Sequence, residues 1–523
     1  MTLLVRLRDD LTRPLLLGLL ILALGLTLAR LPLPWAAALV VGSIGGLILL
    51  LRPEWGLIPL LMSVPLARLG GLSVGGMRIS PAEVMLIGVL AAWLIQMAVH
   101  HEIRFSHPPL LIPFLLLLGA MLASLPGVLS LRAAFKELIK WGSMLVAYLF
   151  VAARGEHKHL SWLMGAVLAA GCGQALLGMY QFLTGSGPEW FLLFGRFMRA
   201  YGTFEQPNPY GGYLGLTLPL AVALTIDLRS WLGRLAALAA LLLMAVALVM
   251  SWSRGAWLGF AAAMLAMSMA RRRTAMLAGV AVGLLVLALA LNSVHLLPSV
   301  LAQRFAGLSA YFALPGVTTA EVTEANYALI ERLAHWQAAM RMWADRPWLG
   351  VGIGNYAAVY SAYRLPHWPE PLGHAHNYYL NIGAEAGLVG LIFYVLFWIA
   401  ALGQAFRAIR STDGLPRAVA LGTLGALVHL SVHNVFDNLY VHTMYLQVAV
   451  LLGLLAVIQG VGNGERVMGK RGPVPRYPLT RHLRSSRLLD LATANRKELY
   501  PSGVLAPVPG TGKISASKLE YFD

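Results

Sequence analysis

Long apolar stretches recur along most of the chain, separated by short polar or basic joints, and this recurrence limits the fold more than any single motif does. Leu15–Ala29, Trp35–Leu51, Val84–Val99, Leu110–Pro126, Met144–Ala153, Leu160–Leu183, Leu214–Ile226 and Leu235–Met250 are apolar. So are Ala256–Ala270, Ala275–Leu291, Leu388–Leu402, Val419–Val432 and Met444–Ile458. With the weaker Leu57–Leu66 they make about fourteen segments of membrane-spanning character, several of them short until their polar-aromatic flanks are added. The chain is 58% hydrophobic and only 12% charged, against roughly 25% charged in soluble domains. Backbone in lipid must satisfy its own hydrogen bonds, so the expected fold is all-α, a polytopic membrane bundle of about 12–14 transmembrane helices.

Leu15–Ala29 has no small-residue cleavage site before the next apolar run and is expected to be the first helix. Cys172, the single cysteine, lies inside an apolar run, which excludes a disulfide or a thiolate metal site and makes it a packing residue.

Lysine and arginine in short loops mark the cytoplasmic side. Arg6, Arg8 and Arg13 place the N-terminus inside; Arg154 with Lys158, Arg229 with Arg234, Arg271–Arg273, and Arg407, Arg410 and Arg417 then fall at alternate joints. Lys136 and Lys140 break the pattern, which predicts an amphipathic interfacial helix over Leu131–Lys140. Outward lie Thr184–Pro209, Ser251–Arg254, Asn292–Ala375 and Asn434–His442. The third is too long for a structureless connection, and Ile330, Leu333, Trp336, Met340 and Trp343 recur in it at helical spacing, which predicts an amphipathic helix lying on the bundle. The expected organisation is a membrane domain over residues 1–459, with a large helical external loop at 292–375, and a basic, disordered cytoplasmic tail at 460–523. That tail suits anionic headgroups; without a nucleic-acid motif or aromatic platform, no nucleic-acid partner is expected.

Chemistry concentrates in the outward segments. His376-Asn377, nine residues, then Gly387-Leu388-Val389-Gly390 puts a ring that titrates near neutrality where a loop enters a membrane helix. Arg254 stands at the outer end of a span, facing either lipid phosphate by snorkelling or an internal cavity. Arg332 shares a side of the loop helix with His335 and Trp336, either as a solvated face or as a ligand-binding one. Arg199 opens a segment whose Gly202, Pro207 and Asn208 predict a shaped turn. Three outward arginines imply an anionic ligand, because the guanidinium fork matches phosphate oxygens. Glu385, a few turns inside from His376, needs an arginine partner or a proton. His374, His376, His433 and His442 all face outward, yet no HExxH helix or carboxylate cluster accompanies them, so no metal or other cofactor is expected.

These residues carry a family resemblance. The His-Asn-x9-Gly-x-x-Gly stretch at His376–Gly390 resembles the signature of O-antigen ligases and related lipid-linked polysaccharide polymerases. Arg199–Asn208, Ser253-Arg254-Gly255, Arg332–Trp336 and Pro347–Tyr356 are similar to further segments of that family. The resemblance implies a bundle of the lipid-linked glycosyltransferase type in the bacterial inner membrane, with its active site facing the periplasm. It implies a glycan donor on undecaprenyl pyrophosphate, and an acceptor hydroxyl on lipid A–core, a growing glycan or a protein. Residue by residue, it makes Arg254 and Arg332 the pyrophosphate ligands and His376 the base, with Arg199, Asn377 and Glu385 as accessory candidates. The transfer implied is inverting and metal-independent. Ligase, repeat polymerase and protein O-oligosaccharyltransferase share the pattern. A lipid or glycan transporter is the rival from another class, and it predicts internal repeats and mid-bilayer charges on several helices, neither of which the sequence displays.

Overall fold

The computed structural model describes residues 25, 27, 29–74, 77–101, 107–193, 195–271 and 327–460. Most of the expected first helix, the span Ala275–Leu291, the first part of the long loop and the tail beyond Gly460 lie outside the described residues. Among them, seven helices are long and apolar enough to cross a membrane, and Leu111–Gly127 and Met444–Ile458 form shorter apolar helices. The protein is a polytopic helical membrane protein.

In chain order the described helices are α1 (Leu33–Leu51), α2 (Leu57–Ser63), α3 (Pro81–His100), α4 (Leu111–Ala123), α5 (Leu131–Arg154), α6 (Leu160–Thr184) and α7 (Pro207–Asp227). They continue as α8 (Trp231–Met250), α9 (Arg254–Ala270), α10 (Tyr327–Asp345), α11 (Tyr356–Tyr363), α12 (Tyr378–Ser411), α13 (Gly414–His433) and α14 (Met444–Ile458). Two short antiparallel hairpins, β1–β2 (Leu72–Val74, Met77–Ile79) and β3–β4 (Leu192–Leu193, Phe197–Met198), sit in the joints.

Local sequence sets the helix starts. Ser80 caps α3 in a reciprocal box with Glu83, satisfying two backbone donors that the first turn leaves open, and Pro81 needs no donor there. Ser130 caps α5 by accepting from Ala133 N. That helix runs unbroken to Arg154, so Leu131–Lys140, expected to form a helix of its own, is the first part of a 24-residue helix. Pro207 and Asn208, expected in a turn, form the first residues of α7.

The core of the bundle is α7 packed on α13, with α9 against both. Small residues set their separation: Gly215 faces the His429 ring, and Gly425 faces Pro219 and Met267. Without a hydrophobic drive between helices in lipid, such close backbone approach supplies the attraction. At one end Asp227 pairs with both Arg271 and Arg417, tying α7, α9 and α13 together. Those two arginines, assigned to one side by the loop-charge pattern, thus meet in space.

Candidate functional site

At the other end, the segments read as outward converge. Arg199 donates from Nε to Ser251 O at 2.9 Å and from its guanidinium to Asn208 Oδ1 at 2.9 Å, joining the β3–β4 joint to the start of α7 and the end of α8. Gly255, next to Arg254, abuts the His433 ring and Phe436; a Cβ there would lie 2.9 Å from His433 Cδ2. The N-terminus of α9 therefore meets the C-terminus of α13. Tyr378 N donates to Asn434 O at 2.8 Å, bringing in the start of α12.

His376 occupies the joint leading into α12, in the left-handed region at φ 51°. A residue other than glycine costs about 1 kcal/mol or more there, and its surroundings enforce it. Its carbonyl accepts from Trp336 Nε1 at 3.3 Å, its amide donates to His374 Nδ1 at 3.0 Å, and Asn377 caps α12 by accepting from Leu380 N at 3.0 Å. The ring, by contrast, is left available. Nδ1 lies 3.5 Å from Asp437 Oδ1, an ion-pair distance that is long for a hydrogen bond, and Nε2 is buried without a hydrogen-bond partner among the described residues.

Burial alone would raise the Asp437 carboxyl, but the contact with His376 above all, with the Arg332 charge beyond it, holds it well below the usual carboxylate range. An ionised carboxylate beside Nδ1 favours the tautomer whose Nε2 carries the lone pair. The neighbouring rings stay neutral. Burial above all lowers His374 to about 3 and His335 to about 4. His335 shares a 2.9 Å hydrogen bond with the Tyr356 hydroxyl, so it is a buried part of the α10–α11 packing and not a solvated neighbour.

The expected residues divide. His376 and Arg332 both act on Asp437, and Arg254 stands next to Gly255, which abuts His433. Asn377 is a helix cap. Glu385 accepts from Tyr356 N at 2.9 Å and pairs with no arginine among the described residues, so the partner expected for it is a backbone amide. His433, expected to face outward, is buried at the end of α13. The Gly387-Leu388-Val389-Gly390 motif is structural. Gly387 breaks α12 at φ 66°, and a Cβ there would collide with the Trp348 carbonyl group. Leu388 N and Val389 N, freed by the break, donate to Pro347 O and Trp348 O at 2.8 and 3.2 Å.

Asp437 was not singled out from the sequence, although it is the single acidic residue of Asn434–His442. It also gives two histidines the carboxylate that the sequence reading lacked: ligand atoms of His374, His376 and Asp437 lie within 4.8 Å of one another. His374 Nδ1 accepts the His376 amide, however, so the neutral ring carries its proton on Nε2 and serves as a donor. Only His376 and Asp437 present ready lone pairs, which is a poor fit to a metal site.

A cavity of about 1380 Å³ opens beside this centre, with Arg199, Asn208, His374 and Asp437 in its lining. No match is found among curated proteins. Residues 239–395, which carry Arg254, Arg332, His376 and Glu385 but neither Arg199 nor Asp437, match the family described as O-Antigen ligase. Over those residues, under a third of the chain, the protein is similar to that family, and the match supports a relation to glycosyltransferase-like ligases and polymerases.

Proposed function

We propose that the protein transfers a glycan from undecaprenyl pyrophosphate to an acceptor hydroxyl on the periplasmic face of the bacterial inner membrane, with inversion and without a metal. The observation that carries this reading is the His376 ring, fixed by its backbone and by Asp437 while its Nε2 is left without a protein partner. In the proposed step the acceptor O–H gives its proton to Nε2 as the oxygen attacks the anomeric carbon. The bond from that carbon to the pyrophosphate oxygen breaks on the opposite side, and undecaprenyl pyrophosphate departs. Asp437 stabilises the imidazolium that forms. Arg254 and Arg332 meet the negative charge growing on the leaving oxygen, which in a low-dielectric site is the largest electrostatic contribution available. His374, neutral with its proton on Nε2, adds a donor on the cavity side.

The test is release of undecaprenyl pyrophosphate by purified protein given a lipid-linked glycan and a hydroxyl acceptor. Transfer should persist in EDTA. Arg254→Ala or Arg332→Ala should each lose about 10²–10³-fold in turnover, and lysine at either position should rescue only part, because it lacks the fork. Wild-type rates in both alanine variants, or Mg²⁺-dependent recovery after chelation, would remove the arginine-and-histidine mechanism.

A further inference from the structure

An apolar groove beside the break in α12 takes no part in the transfer step. It measures about 440 Å³, the size of a small-molecule site, and is lined by Met340, Trp343, Ala344, Pro347, Trp348 and Leu388. The first four stand at i, i+3, i+4 and i+7, so one face of α10 and the turn that follows it make a wall. Trp343 packs that wall onto α12: at Gly383 a Cβ would lie 3.0 Å from its Cε3, and its Nε1 donates to Pro347 O at 3.2 Å, which satisfies the one polar group of the indole. Trp348 is 66% exposed, and Ala344 and Pro347 are exposed beside it. Apolar surface gathered in this way is unfavourable in water and marks a contact with something apolar.

Leu388 identifies what that contact is. It opens the apolar run Leu388–Leu402 within a helix long and apolar enough to cross a membrane, so the groove lies where α12 enters the bilayer. From Leu388 the same helix face continues through Ile392, Leu396 and Ile399, all of them exposed, which makes a lipid-facing stripe with the groove at its end. Trp343 and Trp348 at that level suit the membrane–water interface, where indoles gather. Arg341 and Arg346 flank the groove and are exposed. Each gives one N–H to a backbone carbonyl, Tyr363 O at 3.4 Å and Gly127 O at 3.3 Å, and keeps further donors for a phosphate. The acid between them in sequence, Asp345, accepts from the Tyr363 hydroxyl at 2.6 Å. Arg254, Arg332 and His376 do not line the groove, so it is separate from the groups assigned to the donor's pyrophosphate. We infer that the groove seats an acyl chain of an anionic phospholipid from the surrounding leaflet, with the headgroup on Arg341 and Arg346, and that this lipid steadies α10. The same helix carries Arg332 and, through Trp336 Nε1, holds the His376 carbonyl, so a lipid at one end of α10 bears on the site at the other. The lipid site stands apart from the transfer reading, and only its effect on turnover rests on that reading.

Photolabelling tests the lipid without turnover. Full-length protein in phosphatidylcholine nanodiscs receives a trace of phosphatidylglycerol or phosphatidylcholine with a diazirine in its acyl chain, and labelled peptides are mapped by mass spectrometry. Peptides covering 340–348 should take about fivefold more label from phosphatidylglycerol, the preference that one arginine near the surface gives an anionic headgroup. Ala344→Phe, which fills the groove from an exposed position, should remove most of this label, while label on the Ile392–Ile399 stripe persists and reports an intact bundle. Arg341→Gln with Arg346→Gln should abolish the headgroup preference. Equal labelling by the two lipids, or labelling that Ala344→Phe leaves unchanged, makes the groove ordinary lipid-facing surface and overturns the proposal. So does loss of the label to undecaprenyl phosphate at levels where unlabelled phosphatidylglycerol does not compete, which would make the groove a site for the donor's chain. In turnover assays phosphatidylglycerol should raise the kcat of the wild type and not that of the double arginine variant; equal stimulation of both, or none of either, overturns the link to α10. If the wild type releases no undecaprenyl pyrophosphate while the groove keeps its headgroup preference, the transfer reading fails and the lipid site stands.

Discussion

Two loops reach α12 and treat their polar groups in opposite ways. The loop at 347–352 docks along the helix break, where Val351 N, Gly352 N, Leu388 N and Val389 N all find carbonyl partners across the contact. Glycine stands wherever the backbone turns left-handed there, at Gly350 and Gly352 in the loop and Gly387 in the helix break. The loop at 374–377 puts a histidine in that same region of conformational space and leaves both ring nitrogens without a close hydrogen bond. In a buried setting an unmet polar atom normally costs about 1–3 kcal/mol. One loop is therefore built for stability, and the other holds strain and unmet hydrogen-bonding capacity, which is what a site awaiting a substrate requires.

The sharpest way to break this comparison is to mutate His376 in the one loop and Gly387 at the helix break on which the other loop docks. His376→Ala should reduce turnover by about 10²–10⁴-fold, the usual contribution of a positioned base, with little change in thermal stability, since no short hydrogen bond is lost. Donor binding should survive. Gly387→Ala should do the reverse, costing about 2 kcal/mol or more through the left-handed backbone and the collision with Trp348, seen as poor yield and a lowered unfolding temperature. If His376→Ala unfolds the protein, or Gly387→Ala is as stable as the native chain, the two loops do not differ as described.

Asp437→Asn sharpens the reading of the strained loop. Asparagine keeps the shape but removes the charge that favours the working tautomer and the imidazolium. A drop of about 10- to 100-fold in turnover, at unchanged donor and acceptor KM, is expected for a positioning carboxylate. A change confined to KM would make Asp437 a substrate ligand instead.

The well-paired loop and the bundle were more legible in the sequence than the site. Apolar recurrence and loop charge depend on the lipid environment, which acts on every segment separately, so Arg271 and Arg417 could be assigned to one side before their meeting at Asp227 was seen. The spacing of Ile330, Leu333 and Trp336 likewise announced α10, and all three are buried. Asn377 before an apolar run is a helix-start signal, and it caps α12. Asp437 escaped because its meaning lies in a contact with a ring 61 positions away in the chain, and local spacing does not record such pairings. Hydropathy distinguishes charged from apolar faces but not a cavity from a membrane surface, so Lys136 and Lys140 looked like interfacial anchors. Glu385 was expected to need an arginine or a proton, and the backbone amide that it meets, donated from a loop 29 residues upstream, leaves no mark in the sequence.

The smallest expected effect concerns the neutral histidines around the site. Burial lowers His335 to about 4 and His374 to about 3, and burial with the Arg68 charge lowers His442 to about 4. In the unfolded chain each takes a proton near pH 6.5. Between that pH and the folded values the unfolded state binds more protons, so stability is fully present above about pH 6.5 and declines as the pH falls toward 4. Asp437 adds a loss in the same direction only at lower pH, because its carboxyl is held well below the ordinary range. The unfolding temperature of the detergent-solubilised protein should therefore hold from pH 7.5 to about pH 6.5 and fall from there to pH 4.5. His374→Asn offers a side-chain oxygen in place of the Nδ1 that receives the His376 amide, and it does not titrate. That variant should show a shallower decline than the native chain with its loop intact. A native unfolding temperature that stays level or rises over this range would mean that these rings are charged in the fold, and the neutral surroundings assigned to His376 would be lost with them.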